Sequence, residues 1–370
     1  VDPAKPSLEL LRSLTDEHVL RALMQHRRLT RAELATETGI SKPTVGESVR
    51  RLTEAGLVVD TGERTPGGRG RGRVGSYYAL ADVGVALAVA IAPEGIVAEC
   101  VDAHGDTVSR AEVKIGEPAR PEEVAAALRT AVTTARRGTA RLAVVSAADP
   151  VDRVTGRMVQ LPDAPFLLGE LDTVEVLAPH VDGPVTVDND VNWAARAERD
   201  VHKGQWDDFA YVFLGAGMGC AIVSDGEIRR GHGGLTGEIA HLVTVGPRGK
   251  AIRLIEVFDE LGLRLPGSTA IDVDRLLAAV TGPRAAATRD ALGKAVSGVL
   301  AAVVALADPE TIVIGGPWGG HPVVLDTIAE AFAGLPRHVL VRAAELTVEP
   351  SLAGARLDAL NRLRSAVIAR

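Results

Sequence analysis

FLGAGMGCAIVSDGEIRRGHGGLTGEIAHL, residues 213–242, holds the pattern on which the reading of the body turns. With the preceding FAYV it is a strand running into Gly215, Gly217 and Gly219, followed by further strands in GCAIVSDG and EIRRG. Glycines at alternate positions leave room for a backbone turn whose N–H groups can cradle phosphate. A tight hairpin would use the same glycines. Glu238 and His241 close the stretch in Gly-Glu-Ile-Ala-His. A carboxylate and an imidazole are strong hydrogen-bonding groups, although the two side chains could equally form a structural pair.

Similar units lie on both sides. Upstream, SYYALADVGVALAVAIA, GIVAECVDA and TVSRAEVKI are strands, PEEVAAALRTAVTTARR is a helix and RLAVVSA a further strand. Downstream come helices and TIVIGGPWGG. Three strands followed by alternating helices and strands, occurring twice, predict two α/β lobes with a cleft between them. Asn189 and Asp190 stand in VDNDVNWAARAE at the start of a helix. There Asp190 is either a functional carboxylate or an N-cap.

The first eighty residues follow another pattern. In residues 7–26, Leu8, Leu11, Leu14, Val19, Leu20 and Leu23 recur at helical spacing. RAELATETG is a short second helix with Thr30 as N-cap and Glu33 three residues later. Gly39 supplies a turn, and Ser41 caps a third helix, SKPTVGESVRRLTEAG. Its Val45, Val49 and Leu52 point at the other helices, leaving Lys42, Thr44, Glu47, Ser48, Arg50 and Arg51 for other faces. Gly56 ends it, and LVVD is a strand. This order predicts a winged helix-turn-helix, whose third helix fits the major groove with its N-terminal residues at the base edges. A small helical bundle is the alternative, and residues 63–80, ERTPGGRGRGRVGSYYAL, decide between them. Arg64, Arg69, Arg71 and Arg73 sit among glycines, an arrangement that follows phosphates or enters a narrow minor groove. The expected DNA contacts are therefore Ser41, Lys42, Thr44, Glu47, Arg50, Arg64, Arg69, Arg71 and Arg73, and the expected partner is a double-stranded DNA operator.

Charge agrees with this division. Residues 1–80 hold 13 Lys and Arg against 10 Asp and Glu, and the remainder 28 against 38. A basic front on an acidic body places the polyanion at the front. Two cysteines exclude a disulfide framework and a Cys-rich zinc site. No apolar run reaches the ~20 residues needed to cross a bilayer, and residues 1–14 lack the basic start and apolar core of a signal peptide. The expectation is a cytoplasmic protein without a membrane partner.

Three stretches together resemble the ROK family (repressor, open reading frame, kinase), and the resemblance spans essentially the whole chain. VDNDVNWAARAE resembles the family's Asn-Asp-x-Asn block, which puts Asp190 at the position of the kinases' general base. Residues 213–242 resemble its Gly-rich turn and Gly-Glu-x-x-His motif. DPETIVIGGPWGG, residues 308–320, resembles the strand and Gly-Gly turn placed against adenosine. The implied fold is α/β: an actin-like (ribonuclease-H-like) two-lobed sugar-kinase body preceded by an all-α/winged helix DNA-binding domain of the repressor branch. The implied effector-binding residues are Asn189, Asp190, Glu238, His241 and Glu256, the last matched to the Glu that closes a cysteine cluster in the family.

The sequence also departs from the family. Its Asp-x-Gly-Gly-Thr phosphate loop is matched here to Asp82-Val83-Gly84-Val85-Ala86, without the second Gly and the Thr. On that match the kinase loop is degraded, and no catalytic residue is expected. No cysteine follows His241 in HLVTVGPRGKAIRLIEVF, so neither zinc nor any other metal or cofactor is expected. Ala147, Ala148 and Asp149 stand in the region of a Pro-Gly, and Leu161-Pro162-Asp163 in place of Ser-Pro-Asn. Expected domains are 1–80, the DNA-binding domain; 81–188, a first lobe completed by a C-terminal helix over 354–370; and 189–353, a second lobe. The expected function is a DNA-binding transcriptional regulator, a repressor, controlled by a sugar-like small-molecule effector and assembled as a homo-oligomer, dimer or tetramer. An ATP-dependent sugar kinase and an effector-independent DNA-binding dimer are the alternatives.

Overall fold

A helix, α1 (Leu8–His26), opens the computed structural model, which describes residues 8–65, 74–116, 118–161, 165–167, 169–283 and 285–370. β1 (Arg28–Thr30), α2 (Arg31–Thr38), α3 (Lys42–Glu54), β2 (Val58–Arg64) and β3 (Ser76–Leu80) complete the N-terminal head. Local chemistry sets its boundaries. The Thr30 hydroxyl accepts the Glu33 N–H while the Glu33 carboxylate takes the Thr30 N–H, a reciprocal cap that starts α2. Gly39, at φ +69°, ends α2, and Ser41 caps α3. Val19, Leu20, Leu23, Leu34, Val45, Val49 and Leu52 form the core between the three helices. Ser48 and Arg51, expected on outer faces of α3, turn inward instead. The buried Ser48 hydroxyl donates to Asp16 of α1 at 2.5 Å, and Arg51 pairs with the same carboxylate at 2.6 Å. The strands form a sheet in the order β1-β3-β2.

The body contains two five-stranded sheets of the same construction. The first has the order β6-β5-β4-β7-β8 and is built from β4 (Val85–Ala92), β5 (Gly95–Val101), β6 (Thr107–Val113), β7 (Ala140–Ala147) and β8 (Val185–Asn189). Between these strands run α4 (Pro121–Ala135) and α5 (Thr173–Leu177), and α6 (Asp190–Val201) follows β8. The second sheet comprises β9 (Phe209–Leu214), β10 (Met218–Ser224) and β11 (Glu227–Ile228), joined much later by two parallel strands. Before those come a small antiparallel pair, β12 (Val243–Val245) and β13 (Ala251–Arg253), and the helices α7 (Leu254–Glu260), α8 (Val273–Thr281) and α9 (Ala285–Ala307). Then β14 (Thr311–Gly315), α10 (Pro322–Ala333), β15 (Leu340–Ala343) and α11 (Pro350–Ile368) end the chain, giving the order β11-β10-β9-β14-β15. In both sheets the first three strands are antiparallel and the last two are added in parallel.

β4 is buried on both faces, as a central strand covered by helices should be. Leu87, Val89 and Ile91 pack with Val124, Leu128 and Val132 of α4. Ala86, Ala88 and Ala90 on the other face lie in one cluster with Leu352, Ala355, Ala359 and Leu363 of α11. Small side chains there let α11 come close to the sheet. α11 also meets α6 at Gly354, where a Cβ would lie 1.9 Å from the Trp193 carbonyl oxygen. The Trp193 indole N–H donates to Val145 O of β7 at 2.9 Å. α9, 23 residues long, has the length and composition to cross a membrane, although no uninterrupted apolar run in it reaches the ~20 residues sought in the sequence. Arg289, Asp290 and Lys294 in its first half interrupt the run. Leu292, Val296, Val299, Leu300 and Val303 are buried in the core of the second lobe.

The turn between β5 and β6 joins head to body. Asp102 Oδ1 accepts the N–H groups of His104, Gly105 and Asp106 at 2.9–3.0 Å, which fixes the turn. His104 Nδ1 lies 3.1 Å from the Met24 carbonyl of α1, and Arg27 pairs with Asp106. From the other side, Arg364 of α11 donates to Ala103 O and His104 O at 2.9 and 3.0 Å, and Arg356 donates to Gly105 O.

Candidate functional site

β7 and β8 end in register, Ala147 beside Asn189. Asn189 is the N-cap of α6: its Oδ1 accepts the Val191 N–H at 3.0 Å. Its Nδ2 faces the carbonyls of Ala147 and Asp149 at 3.5 and 3.4 Å. Asp190 is therefore the first residue of the helix and not its cap, although its carboxylate also accepts the Val191 N–H, at 2.8 Å. Glu238 arrives from the second lobe. Gly237 before it has φ +96°, and a Cβ there would lie 1.6 Å from Cys220 O, so only glycine can press this segment onto β10. The Cys220 N–H donates to Gly237 O at 2.9 Å. Gly219 of β10 in turn abuts Val191 of α6. These contacts bring the start of α6, β10 and Glu238 together.

The electrostatics define a group of three acids. Burial, then the Asp190 and Glu238 carboxylates, push Asp149 up to about 7. Burial and Asp190 raise Glu238 to about 7. Burial raises Asp190 to about 7, with Glu94 of the β4–β5 turn adding repulsion. Asp149 is the most enclosed, 1% exposed, whereas Asp190 and Glu238 keep an edge to solvent. In the sequence Asp149 reads only as a departure from the family. The signal available was an acid placed just after an apolar strand, RLAVVSA, at a strand end.

The other expected residues are placed differently. His241 ends a single 3₁₀ turn, Ile239–His241, that begins after Glu238, and it is partly buried. Glu256 is not among the groups acting on the three acids. It bonds to Arg253 at the start of α7, and that contact holds its carboxyl below the usual range. Asp82–Ala86, matched in sequence to the phosphate loop, lies at the wrong end of β4. Val85 pairs with Ala140 at the start of β7, whereas Ile91 pairs with Ala147 beside the site. A strand of this length separates its ends by roughly 20–25 Å. The turn that does reach the acids is Pro93–Glu94, anchored where the Ala148 N–H donates to Ile91 O at 2.9 Å. The two glycine turns of the second lobe do meet: the Trp318 indole donates to Gly215 O at 2.8 Å. Of the sugar-loop positions, Leu161 is described, while Pro162 and Asp163 lie outside the described residues.

On the head, Ser41, Lys42, Thr44, Glu47 and Arg50 are all exposed along α3. The Ser41 and Thr44 hydroxyls are 2.8 Å apart, and Arg50 pairs with Glu47 and Glu54. Arg64 pairs with Asp60 at 3.0 Å on the strand leading into the wing, whose base closes through Thr65 N–H to Gly75 O at 2.9 Å. Arg69, Arg71 and Arg73 lie outside the described residues.

Known proteins share both parts of this architecture. The ROK family model matches residues 86–251, and a winged helix-turn-helix DNA-binding model matches residues 12–59. A glucokinase of Streptomyces coelicolor is 32% identical over 162 residues, 43% of this chain and 50% of that protein. A protein named "Putative xylose repressor" from a Caldicellulosiruptor species is 23% identical over 243 residues, 63% of this chain and 59% of its own length. The chain thus spans about half the length of these curated relatives. A crystal structure of a ROK family transcriptional regulator, a homolog of the E. coli MLC protein, superposes with TM-score 0.63 at 19% identity, covering 97% of this chain and 99% of that one. A ROK family glucokinase from Streptomyces griseus, in complex with glucose and AMPPNP, superposes with TM-score 0.55 at 25% identity over 75% of this chain and all of that one. The chain therefore carries a winged helix-turn-helix DNA-binding domain matched at residues 12–59 and a ROK family domain matched at residues 86–251, on a body with the actin-like sugar-kinase fold.

Proposed function

We propose that this protein is a transcriptional repressor whose kinase-like cleft binds a sugar-like effector and transfers no phosphoryl group. The observation that carries the reading is the route from acids to head. α6 begins at Asp190 and touches α11 through Trp193 and Gly354. α11 in turn holds the 102–106 turn that meets Met24 of the head. An effector that prefers one position of α6 biases the position of the head and so the affinity for an operator. Asn189, Asp190, Glu238 and His241 are the proposed effector contacts. In a homo-oligomer two heads would read two half-sites.

The kinase alternative rests on Asp190, a base at the right place in the resemblance with a proton affinity near neutrality. Against it stands the Pro93–Glu94 turn. Proline offers no N–H to a phosphate, and Glu94 adds a negative charge beside Asp190. Glu238→Ala is expected to abolish the effector response in an operator titration while leaving binding by the free protein intact. Loss of operator binding together with melting temperature would make Glu238 a structural residue, and sugar-dependent ATP turnover that requires Asp190 would overturn the repressor reading.

DNA binding is expected to be salt-sensitive. Lys42→Ala, at the exposed N-terminus of α3, should lower the slope of log affinity against log salt by about one if it neutralises a phosphate. An unchanged slope in a fluorescence-anisotropy titration would remove Lys42 from the phosphate contacts.

A further inference from the structure

Asp149 is the least satisfied acid in the cleft. It is 1% exposed, and its Oδ2 takes no hydrogen bond. A hydrogen bond from the Leu167 main chain supports it. Its position is fixed on three sides: it follows β7, the Asn189 amide holds its carbonyl, and the Ala148 N–H beside it is tied to Ile91. The charges acting on Asp149, Asp190 and Glu238 are all negative. Arg230, a cation of the second lobe, is paired with Asp188. The described residues contain no three acidic, His or Cys side chains placed to ligate one metal ion. A buried, unpaired acceptor among like charges is costly until a donor with positive charge arrives.

Resting on the reading of this cleft as the effector site, we propose that Asp149 makes it select an amine-bearing sugar, the ammonium of the ligand lying against Asp149. The Asp149 Oδ2 is the unmade acceptor for one of the ammonium's three N–H donors, and Asp190 and Glu238 add negative charge that favours a cation there. A neutral hydroxyl in the same place offers one donor and no charge. An N-acetyl group replaces the cation with a bulkier neutral amide, and a phosphate brings further negative charge to a site whose acids already repel one another. Selectivity arises from repulsion as well as from attraction.

The test uses the full chain and four probes near neutral pH: glucosamine, glucose, N-acetylglucosamine and glucose 6-phosphate, each followed by titration calorimetry. Glucosamine is expected to bind at least about tenfold more tightly than the other three, and Asp149→Asn to reduce that preference several-fold. Equal binding of glucose and glucosamine, or an unchanged preference in Asp149→Asn, overturns the inference and leaves the sugar-site reading standing. Binding of none of the four removes both. Thermal unfolding of the variant in the same buffer shows whether it is folded, and Asp149→Ser, which keeps a small polar side chain, serves as the second variant with the same expected loss of preference.

Discussion

Gly354→Ala lowers the melting temperature by roughly 5–10 °C, an expected loss of about 3 kcal/mol. The sign is opposite to helix propensity, by which glycine to alanine inside a helix gains about 1 kcal/mol. Packing reverses it, because the added carbon would sit 1.9 Å from Trp193 O and 2.6 Å from Trp193 C. These are backbone atoms of α6, which cannot swing aside as the end of a long side chain does. Relief requires α11 and α6 to separate, which also disturbs the Trp193 bond to Val145. Gly46→Ala is the control: it too lies within a helix, but nothing is within 4 Å of its added carbon. It is expected to melt at or above the temperature of the parent. Two variants with the same chemical change and opposite shifts would isolate the α6–α11 contact. A Gly354→Ala protein as stable as the parent would mean that the two helices part easily.

The second large effect concerns pH. Asp149 has a folded-state pKa of about 7 against 3.8 for the ordinary carboxyl. The native state then holds its proton more tightly than the unfolded chain, so the protonated acid favours folding at low pH and this contribution is lost as pH rises through about 7. A displacement of this size corresponds to roughly 4 kcal/mol. Asp190 and Glu238, also at about 7, act in the same direction. The parent protein should therefore melt higher at a pH near 5.5 than near 8, provided its other carboxylates remain ionised. Asp149→Asn, which cannot ionise, should gain roughly 4 kcal/mol at the higher pH and roughly 2 kcal/mol at the lower, where about half of the loss has already occurred. Thermal scans of both proteins across this range measure the difference directly. A variant less stable than its parent near pH 8 would show that the Asp149 charge is satisfied in the native state.

Where structure was legible in the sequence, its causes were local. Thr30 and Glu33 are three residues apart, as are Ser41 and Thr44, and caps of this kind declare themselves within one helical turn. The repeated run of three strands likewise predicted the two sheets, since antiparallel neighbours follow one another in the chain. The misreadings had distant causes. Ser48 and Arg51 turn inward because Asp16 waits on another helix. Asp149 becomes a member of the site through residues 41 and 89 positions away, so its own neighbours in sequence say little. The match at Asp82–Ala86 failed because similar residues occur near both ends of β4, and only the pairing of β4 with β7 tells which end meets the acids. Glu256 is the exception with a local cause: it was matched through a motif, but Arg253, three residues earlier, holds it.

One bond by which the turn at residues 102–106 receives the head runs to a main-chain oxygen. His104 meets the carbonyl of Met24, while Arg364 and Arg356 grip the carbonyls of residues 103–105 from behind. The side-chain pair Arg27 with Asp106 across this joint is exposed on both sides and contributes little. Every residue type has a carbonyl, so the fitting makes few demands on the sequence of the helix that docks there. A head that ends its first helix at the same place could engage the same turn while presenting different residues to DNA. At that bond the head can be rewritten while the fitting is kept, so one body could carry heads of different sequence.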